Sequence, residues 1–445
     1  MLELARNVVY QASDLVWGWW TIALLLGTGL FLSIRFRFAQ VTRLGEAMRI
    51  MRRRDREGAE GALSPFQAFM TGLAGSVGTG NIAGVATAVV AGGPGAVFWI
   101  WCYGFFAAAI KLAEATLGMK YRKTDATGLA AGPMRYLAEG LGMRRLGWIY
   151  ALVAGIAALT TTPFTQPNSI AVVFESQFGL PTWICGVVLA VLAWLVVIGG
   201  VKSIGRAAGR LAPAMVFLYL AGGSIVILTH LPRVPEVLAL ILREAFATES
   251  VAGGGLGVGM MVAMRYGLAR GIYANEAGYG TAAVAYGTAR SARPIEQGLS
   301  AMVEVFIVSF VTSSVSALTI LVSGVWNQGL NSTALVAAAF DVAMPYGGYV
   351  VAVCALLFGY TTLIGWGYYG EQFLEHLFGR RIRLPYRWIY CGLVVIGAMM
   401  KVEVVWTWGD LMNGLQIFPN LVGLIGLSGV VATMLRRGGE AEAGG

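Results

Sequence analysis

The chain has 445 residues, of which 57% are hydrophobic and only 12% charged, about half the charged share of a soluble domain. With a mean hydropathy of +0.70, this excludes a string of soluble domains and indicates one polytopic membrane domain. The net charge of +9 does not point to nucleic acid, because the basic residues stand in short loops between apolar runs, the pattern that sets membrane orientation.

A spanning helix needs about 20 apolar residues, and eleven spans are expected on that measure. They cover 16–34, 66–91, 96–117, 147–174, 183–199, 211–228, 255–286, 299–322, 349–373, 385–400 and 411–435. The first is followed by Arg35, Arg37 and Arg43 without a small-residue cleavage site, so it is expected to be retained. Basic clusters follow the first, third, fifth, seventh, ninth and eleventh spans, from Arg35 to Arg56, Lys120 to Arg145, Lys202 to Arg210, Arg290 and Arg293, Arg380 to Arg387, and Arg436 and Arg437. That unbroken alternation predicts a multi-pass cell-membrane protein with its N-terminus outside and its C-terminus cytoplasmic. Part of 118–143 is polar and reads as a helix along the cytoplasmic face, with Arg135 and Glu139 four apart.

The second span contains TGLAGSVGTGNIAGVATAVVAGGPG, Thr71 to Gly95, without a charge but with glycines at 72, 75, 78, 80 and 84. Each Gly costs about 1 kcal/mol against Ala in a helix. Two readings fit: a helix opened around Gly75 to Gly80, of the kind that holds substrate and ion in secondary transporters, or a small-residue face that packs closely on a neighbour. The seventh span is also interrupted by glycines, and it enters from the opposite side. Each of the two is followed by four more spans, which points to an inverted repeat of two five-span units, 66–228 and 255–435, with 16–34 as an extra helix.

Several polar groups fall at membrane depth. Arg265, Arg270 and Glu276 lie in the seventh span; Arg270 and Glu276 would meet only if the helix broke near Gly271, and Glu276 reads first as structural pairing. Lys111 and Glu114 read as a local pair with a snorkelling lysine. Glu175, Lys401 and Asp410 fall near span ends and call for no special role. In the fourth span, TTTPFTQPNSIA sets Gln166 and Asn168 beside Pro163 and Pro167; an amide there reads a substrate headgroup, repairs the interrupted ladder or bridges helices. Thr361 and Thr362 in the ninth span offer hard oxygens to a small cation, or bond back to their own i−4 carbonyls. The cysteines at 102, 185, 354 and 391 are isolated, and with two histidines there is no metal-ligand spacing, HExxH or GxSxG. An enzyme is not expected, nor a channel, since no carbonyl filter or ring of like charge is seen.

The blocks GSVGTGNIAGVATAVVAGGPGAVFWIW, AGPMRYLAEGLG, QPNSIA, GLARGIYANEAGYGTAA, GYTTLIGWGYYGE and NGLQIFPNLVGL resemble, in order and over nearly the whole chain, the alanine or glycine:cation symporter family. The resemblance implies an all-α integral membrane protein of leucine-transporter-like 5+5 architecture with one extra N-terminal helix. It implies import of a small neutral amino acid with Na⁺ or H⁺, lipid as surroundings, and no cofactor beyond the coupling ion. It implies a carboxylate site at the backbone of Thr79 and Gly80, flanked by Ser76 and Asn81, with Gln166 near the headgroup and Met264, Tyr266 and Gly267 lining the side-chain pocket. A sodium site would use the carbonyls of Ala74 and Val77 and the hydroxyls of Thr361 and Thr362. Three positions depart from the family pattern: Thr162-Pro163 stands where Gly-Asn is common, Pro167 where a small residue or Thr is usual, and Ala274 in place of Ser. The first two bear on pocket size.

Overall fold

The computed structural model describes residues 2–51, 61–125, 128–247, 259–291 and 293–443. The start of the seventh expected span (255–258) and Arg52, Arg53, Arg54 and Arg56 lie outside them. Among the described residues, apart from one short hairpin, Lys123–Asp125 with Gly128–Ala130, and an isolated bridge between Leu63 and Ala289, the regular structure is helical.

Helices α1 (Leu2–Val16) and α2 (Trp19–Arg35) lead into the short α3 (Ala39–Thr42) and α4 (Leu44–Met51). The Gly-rich stretch forms α5 (Pro65–Ser76), one turn of tighter helix at Thr79–Asn81, and α6 (Ala83–Gly92), bent by 54°. The start of α5 is fixed locally. Pro65 opens it, the Ser64 hydroxyl accepts from the Gln67 N–H, and the Gln67 side chain accepts from the Ser64 N–H, a reciprocal cap of about 1 kcal/mol. Next come α7 (Ala96–Lys120), α8 (Pro133–Arg135), α9 (Arg144–Thr160) and α10 (Thr162–Phe178), then α11 (Thr182–Val197), α12 (Gly200–Thr229) and α13 (Val234–Ala245). The second half holds α14 (Gly259–Asn275), α15 (Thr281–Gly287), α16 (Pro294–Phe306), a π-helical stretch Ile307–Thr312, α17 (Ser313–Ser323) and α18 (Ser332–Ala343). It ends with α19 (Gly347–Phe378), α20 (Arg383–Met399), α21 (Val402–Gly426) and α22 (Ser428–Ala443).

Among the described residues, six helices are long and apolar enough to cross a membrane, or eight if each of two bent pairs counts as one span. The fifth, seventh and tenth expected spans fall on α11, on the α14–α15 pair and on α20, which are shorter or interrupted.

Local expectations change in four places. The eleventh span starts at Val402 rather than 411 and bends by 52° before α22, so Asp410 is interior to a helix. The basic stretch Lys202 to Arg210 is not loop but the first turns of α12. The 118–143 segment is part hairpin, part helix, and Glu139 there pairs with Lys123 at 2.7 Å as well as with Arg135 at 3.6 Å. The seventh span does not break near Gly271, which stays helical. It breaks at Asn275 to Gly280, where Glu276, Gly278 and Gly280 take positive φ values of 59°, 101° and 85°.

Candidate functional site

The two broken helices meet at their breaks. Ser76, the last residue of α5, points its hydroxyl toward the carbonyl of Asn275, the last residue of α14 (3.4 Å). Around this junction the polar groups of α5–α6 divide into two sets.

On one side stand α10 and α19. The Thr362 hydroxyl donates to the carbonyls of Ala74 (2.8 Å) and Gly75 (3.1 Å). The backbone leaves helical geometry at Val77 (φ −80°, ψ 74°), and the adjoining Gly78 leaves the approach open. A Cβ there would lie 2.6 Å from the Thr362 hydroxyl and 3.2 Å from Gln166 Oε1. Gln166 Oε1 accepts from both the N–H (3.0 Å) and the hydroxyl (2.9 Å) of Thr79. The amide therefore holds the unwound turn, and it occupies the Thr79 N–H assigned above to a carboxylate. Thr361 does not join this set: its hydroxyl bonds back to Leu357 and Phe358 (2.9 and 3.1 Å) and faces Met215 Sδ (3.3 Å). Asn168 bridges helices, donating to the carbonyls of Gly397 (3.2 Å) and Met400 (2.6 Å).

A small cavity of about 10 Å³ lies here, lined by Gly78, Gly80, Thr162, Gln166 and Thr362 with Tyr273, Glu276, Tyr279 and Trp366. Toward the start of α14 it is bounded by Tyr273, whose hydroxyl donates to Thr165 (2.6 Å) and whose ring packs on Trp406 (centroids 5.0 Å). Next to these, Arg270 lies over the Trp406 ring (4.7 Å) and holds Asp410 through two bonds of 2.6 and 2.8 Å. Arg270 thus pairs with Asp410, not Glu276. Toward α15, Glu276 accepts from Trp366 Nε1 (2.5 Å) and the Thr281 hydroxyl (2.7 Å), and Glu276 and Trp366 line that end of the cavity.

On the opposite side stand α7 and α16. Lys111 is fully buried and pairs with Glu304 at 2.6 Å; it does not snorkel. Its Nζ also donates to the Ser76 hydroxyl (2.7 Å) and the Asn275 carbonyl (2.5 Å), tying both breaks together. Glu304 Oε2 accepts from the Tyr286 hydroxyl (2.6 Å). Glu114, expected to pair with Lys111, instead accepts from the N–H groups of Gly278 (2.8 Å) and Gly280 (3.1 Å) and from the Asn420 amide (2.7 Å). Asn81 belongs to this side: its amide donates to the Ser76 carbonyl (2.9 Å), and its oxygen accepts from Thr312 (3.3 Å) and Ser313 (3.1 Å).

Of the residues expected at the site, Ser76, Gly80, Gln166 and Thr362 line the cavity, with Ala74 and Thr79 bonded to that wall. Met264, Tyr266 and Gly267 do not line it. They sit about two turns earlier on α14, where a Cβ on Gly267 would strike the Ala96 carbonyl of α7 and Tyr266 lies beside Arg265. Sequence reasoning missed Tyr273, Trp366, Asn413 and Glu304. For Glu304 a signal existed, an acid alone in the middle of an apolar span; Tyr273 and Trp366 look like ordinary membrane aromatics.

The chain is similar to known proteins over most of its length. The sequence profile of the sodium:alanine symporter family matches residues 2–441. Sodium/alanine symporter AgcS of Methanococcus maripaludis is 39% identical over 438 residues, 96% of each chain. The Bacillus subtilis "Probable sodium/glutamine symporter GlnT" is 34% identical, over 98% of this chain and 91% of its own. Among solved structures, MhsT in complex with L-phenylalanine matches with a TM-score of 0.60 at 12% identity, covering 85% of this chain and 99% of that one; the fold is leucine-transporter-like. The chain belongs to the sodium:alanine symporter family, and it is accordingly a sodium-coupled amino acid symporter and not an enzyme.

Proposed function

We propose that the chain imports a small neutral amino acid, alanine, glycine or serine, together with Na⁺ by alternating access. The observation that carries this reading is the Thr362 hydroxyl on the Ala74 and Gly75 carbonyls, beside a small cavity between the two breaks. A hydroxyl proton bridging two carbonyls marks a place where oxygens converge without a counter-charge. Sodium in that place, with the Val77 carbonyl as a further oxygen, binds neutral oxygens of the kind that unwound helices supply. It would hold α5 in the bent form that presents the backbone of Thr79 and Gly80 to a substrate carboxylate, near the start of α6. This oxygen set contains no carboxylate, lysine or histidine, which favours Na⁺ over H⁺.

Closely spaced walls favour a small substrate over a large one. Tyr273 stands against Gly80, where a Cβ would come within 2.8 Å of the ring, and Trp366 and Thr162 close the remaining space. The sodium/alanine name of the 39% identical relative supports the same class. Two layers would act as gates in the cycle: the Tyr273, Trp406 and Arg270–Asp410 layer toward the outside, and the Trp366–Glu276 layer toward the cytoplasm. This assumes the N-terminus outside, the C-terminus inside, a location in the cell membrane, and two inverted halves, 66–228 and 255–435.

Proteoliposomes holding the protein should accumulate alanine or glycine when an inward Na⁺ gradient is imposed. Uptake that persists unchanged without any Na⁺ or proton gradient would overturn the coupling. Uptake of glutamine with none of alanine, glycine or serine would overturn the size assignment.

A further inference from the structure

The strongest unassigned feature is a pocket where the extra N-terminal helix meets the C-terminal helix. It has a volume of about 560 Å³ and is lined by Arg35, Arg37, Arg43 and Arg436, with Ile34 and Leu435 as apolar walls. We propose that it binds the phosphate headgroup of an anionic phospholipid whose acyl chain lies along α2. The leaflet assigned to it rests on the orientation given above.

Charge is the first argument. Arg43 is engaged, with Glu46 at 2.6 Å and the Leu435 carbonyl at 3.4 Å. Arg35, Arg37 and Arg436 are exposed, and among the described residues no carboxylate pairs with them. Three guanidinium groups around one cavity repel one another until an anion enters. Phosphate suits them because guanidinium offers paired N–H donors to two oxygens at once. The backbone is shaped to present them: Arg37 and Phe38 both have positive φ, 54° and 52°, a region that residues other than Gly rarely adopt.

Location is the second argument, and it selects a lipid over free phosphate. The pocket sits at the end of α2, and Ile34 belongs both to its wall and to the outer face of that helix. Leu30 (44% exposed), Phe31 (42%) and Ile34 (59%) form a continuous apolar strip running from the pocket toward the middle of the helix. A headgroup in the arginine pocket therefore leaves its chain on an apolar track. Basic pockets beside spanning helices on the cytoplasmic side are where anionic headgroups collect. A lipid so placed links α2, Arg43 and α22, which puts the extra helix and the C-terminal helix under one ligand.

The test is thermal unfolding of the delipidated full chain in detergent, with phosphatidylglycerol, phosphatidylcholine or inorganic phosphate added, because a ligand of the folded state raises its apparent stability. Phosphatidylglycerol should raise the midpoint of the wild type, and that rise should fall by more than half in the R35Q/R37Q/R436Q variant. It should stay unchanged in an R144Q/R145Q/K202Q control, which removes as much exposed positive charge elsewhere on the same side. The single variant R436Q, with native mass spectrometry of retained phosphatidylglycerol, gives a second reading should the triple variant fold poorly; it should retain less lipid than wild type. An equal rise with phosphatidylcholine, an equal loss in the control, full effect from inorganic phosphate alone, or undiminished lipid retention in R436Q would each overturn the proposal.

Discussion

The break between Ser76 and Asn81 has two faces, and they are built from opposite materials. Toward α7 and α16 the face is ionic and densely bonded. Lys111, Glu304, Ser76 and Asn275 satisfy one another, and Asn81 is bonded through both ends of its amide. Toward α10 and α19 the face is neutral, held by two hydroxyl contacts from Thr362 and two amide contacts from Gln166. A buried ion pair is costly to disrupt because each partner left alone is an unpaired charge in a medium of low polarity. Neutral hydrogen bonds contribute only about 1 kcal/mol each and can be exchanged for a cation or a carboxylate. The difference assigns permanence to one face and exchange to the other. The ionic face fixes where the two breaks lie relative to each other, and the neutral face is the part that a ligand can remodel.

The largest effect should come from breaking the permanent face. Lys111→Met leaves Glu304 buried without its partner and should cost about 3–5 kcal/mol, measured as a drop in the thermal unfolding midpoint in detergent. Adding Glu304→Gln should recover part of that loss, since the unpaired charge is then removed. A single variant as stable as wild type would erase the distinction between the faces.

On the exchangeable face the effect should appear in ligand affinity more than in stability. Thr362→Val removes the hydroxyl shared by the Ala74 and Gly75 carbonyls, and the Na⁺ concentration for half-maximal uptake should rise about tenfold or more, equivalent to about 1.4 kcal/mol. Thr361→Val should change it by less than about threefold, because its hydroxyl is spent on its own helix and on Met215. The double variant should then match Thr362→Val alone. Unchanged Na⁺ affinity in the double variant would remove the cation from this face.

A stability loss smaller than that of Lys111→Met is expected from Gln166→Leu, which leaves the buried Thr79 N–H without its acceptor, at about 1–3 kcal/mol. If Gln166 is chiefly a clamp on the unwound turn, bound substrate should offset part of that loss by offering the same N–H a carboxylate. Alanine should therefore shift the unfolding midpoint more in the variant than in wild type. An equal shift in both would separate the Thr79 N–H from substrate binding.

How far the sequence reached follows the same division. The glycines of the second span leave a break and a packing face both open, and the opposed, Gly-rich seventh span and the family resemblance point to the break that α5 and α6 show. Thr362 and Gln166 were legible because hydroxyls and amides are conspicuous in an apolar run. Partner choice among charges was not. Spacing along one helix paired Lys111 with Glu114 and set Arg270 against Glu276, whereas the fold pairs Lys111 with Glu304 and Arg270 with Asp410 across helices. Those contacts depend on how α7, α14, α16 and α21 are rotated against one another, and local periodicity does not encode that.

The same limit produces the smallest predicted effect, at the wall of the cavity. Resemblance to a family placed the side-chain pocket at Met264, Tyr266 and Gly267, but Tyr273, seven residues later, is the α14 side chain that lines the cavity. Two turns of helix separate them, about 10 Å, which is more than the length of the small substrates proposed. Tyr266 and Met264 are half-buried and do not line the cavity, so Tyr266→Phe and Met264→Ala should change the KM for alanine by less than about twofold, under about 0.4 kcal/mol. Tyr273→Phe keeps the ring against Gly80 and Trp406 but loses the hydrogen bond to Thr165, and it should raise KM by about three- to fivefold, in keeping with about 1 kcal/mol for one hydrogen bond. The ratio between the two positions is the informative quantity. If Met264→Ala changed KM more than Tyr273→Phe, the pocket would extend outward along α14, and the cavity seen here would be only its inner end.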